Sequence, residues 1–216
     1  MKNIYIILVL LSNIAIAQSP VIDIEDYGKE ESIAGAYYKD INNYFNAFTG
    51  TWIYTNENTS LKIVLNKKTV RYTGKFYTDY VVGEYQYIEN GVEKINTLHN
   101  LGQRYNKGLA GEGLLGVEDK PYCDECDGID EEDEKRLLLS FSDHERNITG
   151  SIIFRKTVVN GQPALEAYLF DNGIGYYNEA NPPQYLVTTV PSGKYILIKQ
   201  NDTTTQNPHE PPEDQY

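Results

Sequence analysis

The chain has 216 residues, with 19 basic against 31 acidic side chains, a net charge of −12, and 19 tyrosines beside one tryptophan and six phenylalanines. That charge excludes nucleic acid as a partner, because holding a phosphate backbone depends on neutralising it with Lys and Arg. The length suits one domain with a full core and is short for two.

Residues 1–17, MKNIYIILVLLSNIAIA, set Lys2 ahead of an apolar run and put small residues at Ala15 and Ala17 before Gln18. This is the pattern of a cleavable secretory signal. The run is shorter than the roughly 20 residues of a spanning helix, so the expectation is a secreted or periplasmic protein, not membrane-embedded. Losing Lys2 leaves 18 basic and 31 acidic residues, or −13. Residues 18–35 (QSPVIDIEDYGKEES, then IAG) are acidic and irregular and read as an extended, mobile lead-in.

Over 33–48, IAGAYYKDINNYFNAF spaces Ile41, Tyr44, Phe45 and Phe48 by three and four, which predicts a short helix ending near Phe48 that Asp40 could cap, while a strand through Ala36 to Lys39 fits equally well. From there the period becomes two. TGTWIYTNENT and SLKIVLNKKTVRY alternate around a turn at 56–58, and Leu61, Ile63 and Leu65 share a face. In DYVVGEYQYIENGVEKINTL, Tyr85 and Tyr87 alternate with Glu84 and Gln86, and Asn90-Gly91 marks a tight hairpin. Residues 99–136 show no sustained period and read as one long, acidic, irregular loop, the type of segment that in compact domains is functional or disordered. Strand patterning returns in RLLLSFSD, SIIFRKTVV, PALEAYLF, YLVTTVP and KYILIKQ, with a turn at Asn160-Gly161. The tail 201–216 is polar, proline-bearing and expected to be disordered.

The abundance of tyrosine favours strands, where the ring covers a half-buried face and the hydroxyl reaches water. The fold class is therefore all-β: an up-and-down antiparallel barrel of about eight to ten strands over residues 36–200, because such a meander has to hide its edges. A β-sandwich is the alternative that patterning leaves open.

In NAFTGTWIY, a short helical turn is followed by Gly50-x-Trp52 at the head of the first long strand. This resembles the entrance of the lipocalin and calycin barrels, and the resemblance implies that Trp52 plugs one end under a cation from the last strand, Lys199 or Lys194. Three ordered blocks, YYKDINNYFNAFTGTWIYTNENTSLKIVL, VVGEYQYIENGVEKINTL and VPSGKYILIKQ, are similar to an uncharacterised family of small secreted flavobacterial proteins, a domain of unknown function. That resemblance implies a bacterial secreted or periplasmic barrel and carries no known activity.

The segment PYCDECDGIDEEDEK, 121–135, holds both cysteines and eight acids. Structural zinc needs four ligands, and the second ligand pair is missing. The acids around Cys123 and Cys126 raise thiol pKa and oppose redox chemistry. Calcium takes such hard carboxylate oxygens, with Asp127, Asp130 and Glu134 as the ligand candidates, although an EF-hand alignment puts Cys123 where the first Asp belongs. The leading reading is a local Cys123–Cys126 disulfide, worth about 2 kcal/mol by loop closure, ordering the tip of an acidic loop.

Catalysis has no constellation to carry it. His99, His144 and His209 are scattered, there is no G-x-S-x-G, H-E-x-x-H or phosphate loop, and carboxylates are too common to single out a pair. The expected function is non-enzymatic, with no cofactor beyond calcium at the acidic loop. It is a secreted carrier of a small apolar or amphipathic molecule, lined by Trp52, Tyr54, Leu61, Ile63, Tyr85 and Tyr87. The same residues equally suit a barrel filled by its own side chains. The alternative is an envelope interaction protein that meets a protein or glycan through the acidic loop.

Overall fold

The computed structural model describes residues 19–103, 108–115, 135–171 and 184–201. Eleven strands form among them: β1 Val21–Asp23, β2 Tyr37–Lys39, β3 Gly50–Asn56, β4 Thr59–Tyr72, β5 Tyr77–Glu89, β6 Val92–Asn96, β7 Leu109–Leu115, β8 Arg136–Asp143, β9 Ile148–Val159, β10 Gln162–Asp171 and β11 Gly193–Lys199. Eight of these, β3, β4, β5, β7, β8, β9, β10 and β11, each pair antiparallel with the next in chain order, and β11 returns to β3. The sheet is thus a closed up-and-down barrel, which rules out the sandwich and removes the edges that a meander of this size would expose.

The period-two reading of β3, β4 and β5 places their side chains. Trp52 sits opposite Ile63, which sits opposite Tyr85; Tyr54 sits opposite Leu61, which sits opposite Tyr87. These are two neighbouring inward rows, and β8 to β11 complete the core with Leu137, Leu139, Phe141, Ile152, Phe154, Leu165 and Leu197, all at most 0% exposed. Removing each large apolar side chain from water stabilises the fold by roughly 1.5–3 kcal/mol. Asn90 and Gly91 adopt φ of 52° and 74° between β5 and β6, and Asn160 and Gly161 adopt 51° and 78° between β9 and β10. Both are the positive-φ turns expected of an Asn-Gly hairpin.

One edge of β5 is shared by three strands. β2 pairs in parallel at Tyr77 and Thr78, β7 at Val81 to Gly83, and β6 beyond Gln86. The lead-in is extended over β1, as its composition suggests, and it is also tied down: β1 pairs in parallel with β2, Ile24 is buried, and Tyr27 packs on Tyr38 and Phe76 with ring centroids 5.4 Å away.

Three expectations need correction. The helix ending near Phe48 does not form; a single 3-10 turn, Tyr44–Ala47, stands there. Asn43 sits at φ 58°, in the left-handed region, so no right-handed helix runs through it, and the carboxylate of Asp40 accepts from the amides of Tyr44 at 2.7 Å and Phe45 at 3.1 Å, capping the short turn that remains. Residues 99–136 are not one loop, because β7 lies within them and closes the barrel. β7 lacks apolar alternation because a register shift between Ala110 and Gly113 and a glycine at 111 separate its core leucines, Leu109 and Leu114; a Cβ on Gly111 would stand 3.0 Å from the carbonyl oxygen of Leu138. Close strand approach takes the place of side-chain packing there. Finally, YLVTTVP is not a strand. Its Thr188 and Thr189 amides are taken by the carboxylates of Asp171 and Asp143 instead of by a neighbouring strand.

Candidate functional site

The strand directions separate two ends. At one, the Tyr44–Ala47 turn seals the barrel. Phe45 and Phe48 are fully buried, and Trp52, 2% exposed, donates its indole N–H to the Phe48 carbonyl at 2.8 Å. Lys199 lies opposite Trp52 in the β3–β11 register and holds its ammonium 5.0 Å from the ring centroid, a cation–π contact. Lys199 is therefore the cation that the Gly-x-Trp pattern implied. Lys194 is engaged elsewhere, over Tyr168 and beside Glu166.

Below the plug, Asp40 and Asp79 are almost fully buried and share Lys67, whose Nζ is 2.8 Å from one carboxylate and 3.9 Å from the other. Asp79 also accepts from the Tyr37 hydroxyl and from the amides of Asp40 and Val70. Val70 sits at φ 60° in the β4 bulge, a costly conformation for a β-branched residue, and the Asp79 bond helps to hold it there. Lead-in, plug and bulge are joined in this one polar cluster, where every bond satisfies a group that burial would otherwise penalise.

Side chains fill the middle of the barrel among the described residues: Leu61, Ile63, Leu65, Tyr85, Leu109 and Phe141 expose 0% of their surface. Tyr85 packs on Phe141 with centroids 4.5 Å apart and donates its hydroxyl to the Ser142 carbonyl. Burial pushes its phenol far above the ordinary tyrosine value, and Asp143, Glu84 and Glu145 push the same way.

At the other end three tyrosines from three strands meet: Tyr54 of β3, Tyr87 of β5 and Tyr195 of β11. Tyr54 and Tyr195 stand edge to face, 5.0 Å between centroids at 88°. The Tyr87 hydroxyl is 3.4 Å from a carboxylate oxygen of Glu89. Burial raises the Tyr195 phenol most, and Tyr87, Tyr54 and Glu89 raise it further, as neighbours in one cluster would. Across the same end runs a strap, residues 184–192. Val190 plugs into the core, Asp143 accepts from the Thr189 amide at 2.6 Å, and Asp171 accepts from Thr188 and Ser192. Arg146 donates to the carbonyls of Val187 and Thr188, and the Tyr195 hydroxyl donates to Pro191.

All six lining candidates from the sequence face inward. Trp52 belongs to the plug, Leu61, Ile63 and Tyr85 to the filled middle, and Tyr54 and Tyr87 to the tyrosine end. Cys123, Cys126, Asp127, Asp130 and Glu134 lie outside the described residues. Tyr195 and Glu89 were missed, although alternation could have found both: Glu89 continues the row of Tyr85 and Tyr87, and Tyr195 shares a face with Leu197. Asp143 and Asp171 carry no such signal, since their partners lie 46 and 17 residues away in irregular chain.

The closed meander of eight strands with a tryptophan-plugged floor is a lipocalin-like barrel. The chain belongs to a family of unknown function, DUF6705, whose family model matches residues 1–200. Comparison with curated proteins and with solved structures finds no match.

Proposed function

We propose that this is a secreted or periplasmic, non-enzymatic bacterial protein of flavobacterial type that binds a small amphipathic molecule at the tyrosine-lined end of its barrel. The observation that carries this reading is the meeting of Tyr54, Tyr87 and Tyr195 at one end, where Tyr54 stays partly exposed while the core beneath is full. A full core supports a site at the end of the barrel rather than along its axis. Rings with hydroxyl tips suit a molecule with both an apolar body and a polar group. Secretion is supported by the signal pattern of residues 1–17.

A second reading, an envelope interaction protein that meets a protein or glycan through the acidic 121–135 segment with or without calcium, is favoured by the same full core, since a filled barrel can serve purely as a scaffold. Native mass spectrometry on the mature protein from its own secretory compartment, with and without a calcium chelator, separates the two. A bound small organic molecule is the expected result. A bare polypeptide with a chelator-sensitive calcium adduct would overturn the first reading in favour of the second.

A further inference from the structure

The ladder that closes the barrel is its shortest. β3 and β11 pair only at Ile53 with Ile198 and Trp52 with Lys199, followed by one bond from the Gln200 amide to the Thr51 carbonyl. Continued upward, the register would join Tyr54 to Leu197 and Thr55 to Ile196, but the pairing stops. By comparison, β3 and β4 pair along the whole of β3 from Gly50 to Asn56. The rings of Tyr54 and Tyr195 therefore stand in a seam that the backbone leaves unlaced, with Tyr87 and Glu89 on β5, beyond Leu61 of the intervening β4.

We propose that Tyr54, Tyr87, Tyr195 and Glu89 form a subsite for an organic cation, the protonated amine or quaternary ammonium end of an amphipathic molecule; this rests on the binding function proposed above. The electron-rich faces of the rings attract a positive charge; Tyr87 and Tyr195 are buried, at 3% and 8% exposure, and come within reach when Tyr54 turns aside. Glu89 supplies the counter-charge at their rim, and the net charge of −12 draws cations toward the molecule. The cation now beside Glu89 is Lys94, 3.8 Å away, with both side chains about two-fifths exposed at 40% and 42%. Such a loose surface pair is weak and yields readily to a ligand. An anionic head group would meet Glu89 and the Tyr87 hydroxyl oxygen, which already faces that carboxylate. Tyr54 is the ring with freedom to turn aside, being the partly exposed member of the group.

The test compares three dodecyl probes on the mature protein by calorimetry, each below its micelle concentration: dodecyltrimethylammonium, dodecyl sulfate and the neutral dodecyl maltoside. The ammonium probe is expected to bind roughly tenfold more tightly than the sulfate, the scale of one desolvated cation–π contact. Glu89→Gln and Tyr54→Leu should each weaken the ammonium probe several-fold, and Glu89→Gln should leave the maltoside unchanged. Emission from Trp52 at the far end reports that both variants are folded. If all three probes bind alike and Glu89→Gln changes nothing, the cation subsite is overturned while the binding function stands. If the ammonium preference survives both variants, it comes from net charge and the subsite is likewise overturned. If no probe binds, the binding function falls and takes the subsite with it.

Discussion

The two ends of this barrel are closed by different means. At the tryptophan end a large ring, two phenylalanines and a cation fill the floor, and a buried cluster of Asp40, Asp79 and Lys67 ties lead-in, turn and bulge to it. At the tyrosine end there is a strap hung on two aspartates and a seam with a short ladder. The first arrangement spends apolar burial on permanence, as lost surface there has no alternative packing. The second rests on hydrogen bonds from Asp143 and Asp171 to the strap and on a ring, Tyr54, that stays partly exposed, so it has less apolar burial to lose.

The largest effect expected from breaking this contrast comes from the floor. Trp52→Ala should cost about 3–5 kcal/mol in urea unfolding, the usual loss for a buried large ring, whereas Tyr54→Ala should cost no more than about 1.5 kcal/mol. Equal losses at the two positions would remove the contrast. Next comes the strap. Asp143→Asn replaces an oxygen that accepts the Thr189 amide, or the one that accepts the Arg146 amide, with a donor. The expected cost is about 1–3 kcal/mol, with faster hydrogen exchange in residues 184–192 and none in Tyr44–Ala47.

Alkaline pH should sharpen the contrast further. Tyr85 and Tyr195 are both held above the ordinary value of 10.0, chiefly by burial. Raised phenols keep their protons in the fold after those of the unfolded chain have ionised, so the folded state binds more protons there. Their contribution is fully present below pH 10 and is lost as pH rises through the raised values. Urea midpoints should therefore hold steady up to about pH 9 and fall above pH 10, with a shallower fall in Tyr85→Phe. A midpoint that rises above pH 10 would contradict this. The smallest effect is Lys199→Met, which keeps the stem over Trp52 and removes the charge. It should cost about 0.5–1 kcal/mol and shift the emission of the single tryptophan.

The chain's alternation alone identified β3 to β6 and β8 to β11, and with them the inward row that runs through Trp52, Tyr54, Leu61, Ile63, Tyr85 and Tyr87. A strand with one buried face has to repeat every second residue, so that much is written locally. β7 escaped because a glycine at 111 and a register shift between Ala110 and Gly113 put its core leucines, Leu109 and Leu114, out of period two. The helix expected near Phe48 failed because Asn43 adopts a left-handed φ of 58°, which interrupts a right-handed ladder and leaves a single turn after it. Whether the inward rings would line a cavity or fill the barrel was undecidable from periodicity, which gives direction and not volume. Closure set the diameter and brought β8 to β11 across from β3 to β5, and only then did the middle fill and three tyrosines from distant strands meet at one end. Facing direction is a property of neighbouring residues; convergence is a property of the closed sheet, so it belongs to the tertiary structure alone.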